Sequence, residues 1–401
     1  MDSAALAEWC DETLPDLWDP GMFDEEETAD AVWEAVEKLA ADTVLDYIED
    51  PTEREELSEE LMETAREWFR AHHEFVVESL PVAPPTALLA RPQIAQHSAD
   101  WYSQRSHRLT ASEFSQILDG RRAALMRTKL FPSAATDDRP ARAPVGIAQP
   151  DGELPPTTWG HRFERLTRQI YEQEIAGPGT VCDTLGRFQH AVYPWLSASP
   201  DGVVLSGGVA GRLVEIKSPK SRQPGEFVPS DYYAQMQVQM EVCDVDAVDF
   251  IEAQFAQRPV RLASFGDAPL PAAADDGPAI AAARWKGRIQ VWGRAEDPNT
   301  WCYRYTAPVE ELADADATWD GPPPPGDLEL LEESVWWLTG WYPRTVLRNR
   351  AWWEETGWPA AAEFWAELES QRAAGPLRTL TLPDASDTIE LVGGGGWAGR
   401  N

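Results

Sequence analysis

The chain has 401 residues, 68 Asp plus Glu against 34 Lys plus Arg for a formal net charge of -34, and four cysteines. A hydrophobic content of 43% with 10% aromatics excludes a wholly disordered chain, and the length accommodates roughly two or three domains. No apolar run reaches the roughly 18–20 residues that span a bilayer, and the acidic N-terminus is unlike a signal peptide. Cys10, Cys182, Cys243 and Cys302 form no CxxC pair, which excludes a cysteine-built zinc site and fits a reducing, intracellular compartment.

A polyanion of this size should repel nucleic acid, yet its acid is unevenly placed. Residues 1–70 hold 24 acids and four bases, whereas residues 91–260 hold 20 acids and 18 bases. The acidic stretch predicts two helices. One runs from about Glu26 to Ile48 on Ala29, Val32, Val36 and Leu39; the other runs from Thr52 to about Leu80 on Leu57, Leu61, Ala65 and Phe69. Thr52-Glu53-Arg54-Glu55 reads as the capping box of the second helix. Residues 1–80 are thus an acidic helical extension, either a solvated hairpin or a docking face for a basic partner; the solvated hairpin is the simpler reading. Pro81 to Pro85 opens a linker taken as 81–94, before a core over 95–260.

Within the core, Asp100 to Glu113 carries Trp101, Arg105, Thr110 and Ser112. Either hydroxyl could cap a helix holding Phe114, Ile117 and Leu118, and a helix N-terminus beside Arg105 would suit a phosphate. A Pro-rich stretch over 131–156 reads as a long loop. Trp159, Phe163, Leu166 and Ile170 then share one helix face, with Thr157 or Thr158 as cap and Glu164 beside the stripe.

Leu196 to Leu205 reads as strand, Pro-Asp-Gly turn and strand, with Asp201 in the turn. Along the next strand, Arg212 to Pro219, alternation places Leu213, Glu215 and Lys217 on one face. Two carboxylates and an ammonium on neighbouring strands suit hydrolysis assisted by a hard cation such as Mg²⁺, with Lys217 orienting or deprotonating water. Lysine is scarce here, with five in the chain, and only lysine can be tuned as a base where arginine cannot. Taken alone, Glu-Ile-Lys is more often the mark of an ion pair on an exposed strand.

A helix from Asp231 to about Val242 places Tyr232, Gln235 and Gln239 in one sector, where Gln235 and Tyr232 could donate to a phosphate or to water. Arg288 to Trp292 and Trp301 to Tyr305 predict a strand pair, within a C-terminal part over 261–375. Its crowded tryptophans read as core rather than as a base-stacking platform, and residues 376–401 read as a flexible tail.

In this order, Trp101…Arg105…Leu109-Thr110-Ala111-Ser112, Trp159-Gly160-His161-Arg162-Phe163-Glu164, Ser199-Pro200-Asp201-Gly202, Glu215-Ile216-Lys217-Ser218-Pro219 and Tyr232-Tyr233-Ala234-Gln235 closely resemble the YqaJ-type viral recombinases. These form the lambda-exonuclease-like branch of the PD-(D/E)XK nucleases. Asp231 to Phe250 is similar to versions in large DNA viruses of eukaryotes. The resemblance covers roughly residues 95–375. It implies an α/β fold with a restriction-endonuclease-like core, a mixed central sheet flanked by helices, and Mg²⁺-dependent 5′-to-3′ digestion of duplex DNA. Two ions are implied, with Mn²⁺ as a substitute. Carried over by position, Asp201, Glu215 and the Ile216 carbonyl are metal ligands, Glu164 serves the second ion or its water, and Lys217 positions the nucleophile. Arg105, Ser112, Ser199 and Gln235, with Tyr232 beside them, match positions that grip a terminal 5′-phosphate. The implied partners are DNA ends and a single-strand annealing protein, in the nucleus or cytoplasm of a host cell. An endonuclease of the same fold and a noncatalytic DNA-end-binding or partner-recruiting protein are the alternatives.

Overall fold

A computed structural model describes residues 3–18, 24, 26–96, 98–132, 145–225, 227–266, 268–270, 276–324 and 326–374. The expected tail, and most of the Pro-rich stretch before residue 145, lie outside the described residues.

The acidic N-terminal region folds around its own core. Helices α1 (Ser3–Thr13), α2 (Glu26–Thr43) and α3 (Pro51–Ser79) bury Leu6, Trp9, Val32, Val36, Leu57, Leu61 and Phe69 against one another. Helix α1 was not anticipated, so the region is a three-helix bundle rather than a hairpin. The cap of α3 also differs from the expected box: the Asp50 carboxylate accepts from the Thr52 and Glu53 amides at 2.9 and 3.1 Å, with Pro51 in the first turn. An aspartate before a proline fills the orphan N–H groups better than a threonine one turn inside.

The rest of the chain is a mixed α/β module. Its strands are β1 (Leu109–Thr110), β2 (Val181–Cys182), β3 (Phe188–Gln189), β4 (Leu196–Ala198), β5 (Gly202–Val204), β6 (Leu213–Lys217), β7 (Ala247–Leu262), β8 (Lys286–Arg294), β9 (Asp297–Tyr305) and β10 (Glu329–Leu347). Seven form one sheet in the order β2-β5-β6-β7-β10-β8-β9, in which only the β6–β7 pairing is parallel; β1-β4-β3 form a small second sheet. Helices α4 (Arg122–Leu130), α5 (Pro156–Tyr171), α6 (Ser230–Cys243) and α7 (Trp358–Ala373) flank these sheets. The expected β8–β9 pair is present in register, Val291 opposite Tyr303.

Pro200-Asp201-Gly202 does not close a hairpin. Strand β4 belongs to the small sheet and β5 to the large one, so the turn is a crossover between sheets. Gly202 pairs with Val214 on β6, and a Cβ there would lie 2.8 Å from Val181 Cγ1 on β2. The glycine therefore lets β2 approach β5 at the exit of the turn.

Alternation along β6 decides which layer each side chain enters. Leu213 joins the core shared with Met236, Met240 and Phe250, beneath α6, whereas Val214 and Ile216 join Tyr171 of α5 on the opposite face. Helix α5 is started by Pro156 without a side-chain cap, against the expected Thr157 or Thr158. Proline at the first turn presets φ and donates no amide that needs a partner. Trp336, Trp337, Trp353 and Trp365 are buried, as expected of core residues.

Candidate active site

The site assembles at the C-terminal end of β6. Glu215 points toward α6 and is 1% exposed. A carboxylate so buried needs donors, and three converge on it. Gln235 Nε2 donates to Oε1 at 2.6 Å, Gln239 Nε2 donates to Oε2 at 2.7 Å, and the Lys217 ammonium pairs with Oε1. One helical turn separates the two glutamines, so one face of α6 fixes both oxygens. Gln239, noted from the sequence only as a neighbour in the sector, is an equal partner of Glu215.

Asp201 meets the same strand through its backbone. The Ile216 amide donates to Asp201 Oδ2 at 2.8 Å, tying the crossover turn to β6. Burial raises the Asp201 carboxyl well above its usual range, and the Glu215 and Glu164 carboxylates raise it further; Lys217 opposes them. Lys217 lies 5.1 Å from the Tyr232 ring centroid. Burial draws its ammonium down, but Glu215 and Asp201 more than compensate and hold it protonated. Held protonated, the Lys217 ammonium carries the charge suited to orienting a water or an anion.

Glu164 reaches the site from α5, on the opposite face of β6, and its side chain is 46% exposed. Its Oε2 lies 3.5 Å from His161 Nδ1, one turn earlier on the helix. Two adjoining clefts open here. One, of about 450 Å³, is lined by His161, Glu164, Arg165, Arg168, Asp183, Asp201 and Ile216; the other, of about 310 Å³, includes Glu164, Lys217, Ser218, Lys220 and Tyr232. His161, Arg165 and Arg168 were not singled out from the sequence, where an arginine on a polar helix face carries no mark of a cleft.

The donor set is one of hard oxygens, crowded enough that Glu215 and Glu164 raise the proton affinity of Asp201. That is the charge pattern a divalent cation complements. Among the described residues no three Asp, Glu, His or Cys side chains gather to hold a metal ion by themselves. An open pair of carboxylates suits Mg²⁺, which keeps several waters, better than a structural Zn²⁺.

The expected phosphate-gripping residues fall into two groups. Gln235 is engaged with Glu215, and Tyr232 lies beside Lys217. Arg105, Ser112 and Ser199 gather instead around Trp101 and β1. The Trp101 Nε1–H donates to Ser199 Oγ at 3.3 Å, the Arg105 guanidinium lies 5.8 Å from the Trp101 ring centroid, and Ser112 Oγ is 3.3 Å from Thr110 Oγ1. The helix expected after Thr110 is present as two short pieces. Thr110 and Glu113 form a capping box around a single 3-10 turn, Ala111–Glu113, followed by the short helix Ser115–Leu118. No macrodipole of consequence forms over so few residues, so any anion here is held by side chains.

Residues 100–246 match the YqaJ-like viral recombinase domain model, a span that begins at the Trp101 segment and takes in β6 and all of α6. Over that span the chain is similar to the YqaJ-like viral recombinase domain. Every element of the candidate site, from Arg105 to Gln239, falls inside it. An uncharacterized protein of Acanthamoeba polyphaga mimivirus is 27% identical over 184 residues, covering 41% of this chain and 30% of that relative. The match thus spans under a third of the relative's length. Among solved structures, the alkaline exonuclease of Laribacter hongkongensis aligns over 69% of this chain and 95% of its own, at 17% identity and a TM-score of 0.36. The same enzyme in complex with dAMP aligns over 69% and 98%, at 16% identity and a TM-score of 0.35.

Proposed function

We propose that the YqaJ-like domain is a Mg²⁺-dependent deoxyribonuclease that digests one strand of linear duplex DNA, 5′ to 3′, yielding single strands for recombination or genome processing. The observation that carries this reading is the convergence of Asp201, Glu215 and Lys217 at the end of β6, beside clefts that Asp201, Lys217 and Glu164 line. Asp201, Glu215 and the Ile216 carbonyl would hold one ion, and Glu164 a second ion or its water, with Mn²⁺ as a substitute. Bound there, such ions supply Lewis acidity to a phosphodiester and a nucleophilic water at neutral pH.

The chain's own groups do the positioning. Gln235 and Gln239 fix both oxygens of Glu215, the Ile216 amide fixes Asp201, and the Lys217 ammonium presents a charge to the water or to the scissile phosphate. Arg105, Ser112 and Ser199 would hold the terminal 5′-phosphate, which favours an exonuclease over an endonuclease. A single-strand annealing protein is the proposed partner, in the nucleus or cytoplasm of a host cell.

The test is digestion of linear duplexes bearing a 5′-phosphate or a 5′-hydroxyl, beside a closed circular duplex, with Mg²⁺. Faster loss of the phosphorylated linear DNA with the circle intact is expected. Cutting of the circle would make the protein an endonuclease of the same fold, and absence of any hydrolysis would leave a DNA-end-binding role.

A further inference from the structure

Helix α2 ends at Thr43, and the chain passes through one 3-10 turn, Leu45–Tyr47, before α3 begins at Pro51. A groove of about 480 Å³ lies at this junction, lined by Thr43, Val44, Tyr47 and Ile48 on one side and by Glu53, Glu56, Leu57 and Glu60 of α3 on the other. Its floor is apolar: Leu57 is buried, while Val44 and Ile48 belong to the bundle core but are only partly covered. Tyr47 stands at the edge, 77% exposed, the most exposed large hydrophobic side chain among the described residues. The groove is preformed. Arg54 holds the 3-10 turn against α3, its Nε donating to the Leu45 carbonyl at 2.7 Å and its Nη2 to Asp46 Oδ1 at 2.6 Å.

The wall on α3 is a row of carboxylates. Glu53, Glu56 and Glu60 recur at helical spacing, are all exposed, and span about 10 Å along the axis. The nearer bases of α3, Arg54 and Arg66, pair with Asp46 and Glu63 instead. The three glutamates thus have no base beside them among the described residues. Water solvates such carboxylates well, but it does not solvate Val44, Ile48 and the Tyr47 ring at their side. An apolar floor under an unpaired acidic wall matches a ligand that is apolar and cationic at once.

We propose that this groove receives a basic amphipathic helix of a partner protein. One large apolar side chain seats on Val44, Ile48 and Leu57 beside Tyr47, and Lys or Arg one and two turns along face Glu53, Glu56 and Glu60. The bundle offers no strand edge among the described residues, so recognition is by a helix laid in a groove. Charge selects the occupant. A second copy would bring another segment of 24 acids and four bases, in residues 1–70, to the contact. Of the two longest segments outside the described residues, 375–401 holds three acids and two bases and 133–144 two of each, so neither supplies the cations. The groove lies outside residues 100–246, so its occupancy is independent of the nuclease chemistry.

The test uses the full chain without DNA, and a fluorescein-labelled amphipathic Leu/Lys peptide of about 18 residues as the probe. The comparison peptide has the same composition, ordered so that Leu is scattered around the helix. Fluorescence anisotropy at about 0.15 M salt reads binding. Wild type should bind the amphipathic peptide about tenfold or more tightly than the scattered one. Tyr47→Ala should weaken binding about tenfold, as should the triple variant Glu53→Gln, Glu56→Gln, Glu60→Gln; the triple serves if Tyr47→Ala fails to fold. A second triple, Glu8→Gln, Glu34→Gln, Glu37→Gln, removes equal charge outside the groove and should change affinity by about twofold at most. Equal binding of the two peptides, or an equal loss in the second triple, would overturn the proposal and leave a polyanion without a site. A dimer of the full chain that Tyr47→Ala dissociates, read by analytical ultracentrifugation, would also overturn it, with a second copy as the occupant.

Discussion

At the scale of single residues, the site is organised around carboxylates that the fold makes uncomfortable. The Asp201 carboxyl is raised above its unfolded value, so its contribution to stability is present at low pH and is lost as pH rises through the folded pKa. At neutral pH its ionised form works against the fold. Asp201→Asn keeps an oxygen for the Ile216 amide and removes the charge. In EDTA at pH 7.5 it should melt about 1–2 °C above wild type, a gain on the order of 1 kcal/mol, and differential scanning calorimetry reads this directly. Mg²⁺ should then raise the wild-type midpoint more than that of the variant. A lower midpoint for Asp201→Asn in EDTA would mean that the carboxylate stabilises the fold and is not held in reserve for a cation.

At the scale of elements, long periodic segments were legible and sheet membership was not. Helices α3 and α5 follow from apolar spacing, because each buries one face, whereas α6 is buried nearly all round and β6 on both faces. The Asp201, Glu215 and Lys217 constellation was legible because two of its members lie on one strand. Pro-Asp-Gly announced a turn, but local turn chemistry cannot say that β4 and β5 enter different sheets. Gly202 carries the consequence of the crossover. A side chain there would meet Val181 Cγ1 at 2.8 Å and the Cys182 carbonyl at 3.2 Å. Gly202→Val should cost about 1–3 kcal/mol in urea unfolding and lower DNA hydrolysis through the adjacent Asp201. Unchanged stability would show that β2 yields freely.

At the scale of the molecule, the acidic bundle is docked on the α/β module. The Asp24 carbonyl accepts from the Val228 amide and its Oδ2 from the Leu347 amide, both at 2.9 Å, while Arg212 reaches the Val77 carbonyl at 3.1 Å. Val228 precedes the glutamine-bearing helix α6, so the bundle abuts an element of the site. His73 Nε2 lies 3.3 Å from Asp24 Oδ1 in this contact, with Glu74 and Arg344 also facing the imidazole. Burial lowers its pKa, but the Asp24 carboxylate and Glu74 outweigh burial and Arg344, and the net direction is upward. A raised histidine pKa stabilises below the unfolded value of about 6.5 and ceases to do so as pH rises through the folded value. Hydrogen exchange along the C-terminal half of α3 should therefore quicken between pH 6 and pH 8, beyond the intrinsic rate, in wild type and not in His73→Gln. Equal behaviour of the two proteins would remove His73 from the contact.

The concentration of acid in residues 1–70, with near balance over 91–260, is what lets a chain of net charge -34 be read as a DNA enzyme at all. That reading stands or falls with the constellation at the end of β6. Its most direct measurement is the release of nucleotides from end-labelled, 5′-phosphorylated linear duplex by wild type, Asp201→Ala and Lys217→Ala, each with Mg²⁺ and with EDTA. The account predicts digestion by wild type with Mg²⁺ only, and a loss of about a hundredfold or more in each variant. Digestion that persists in both variants would contradict it.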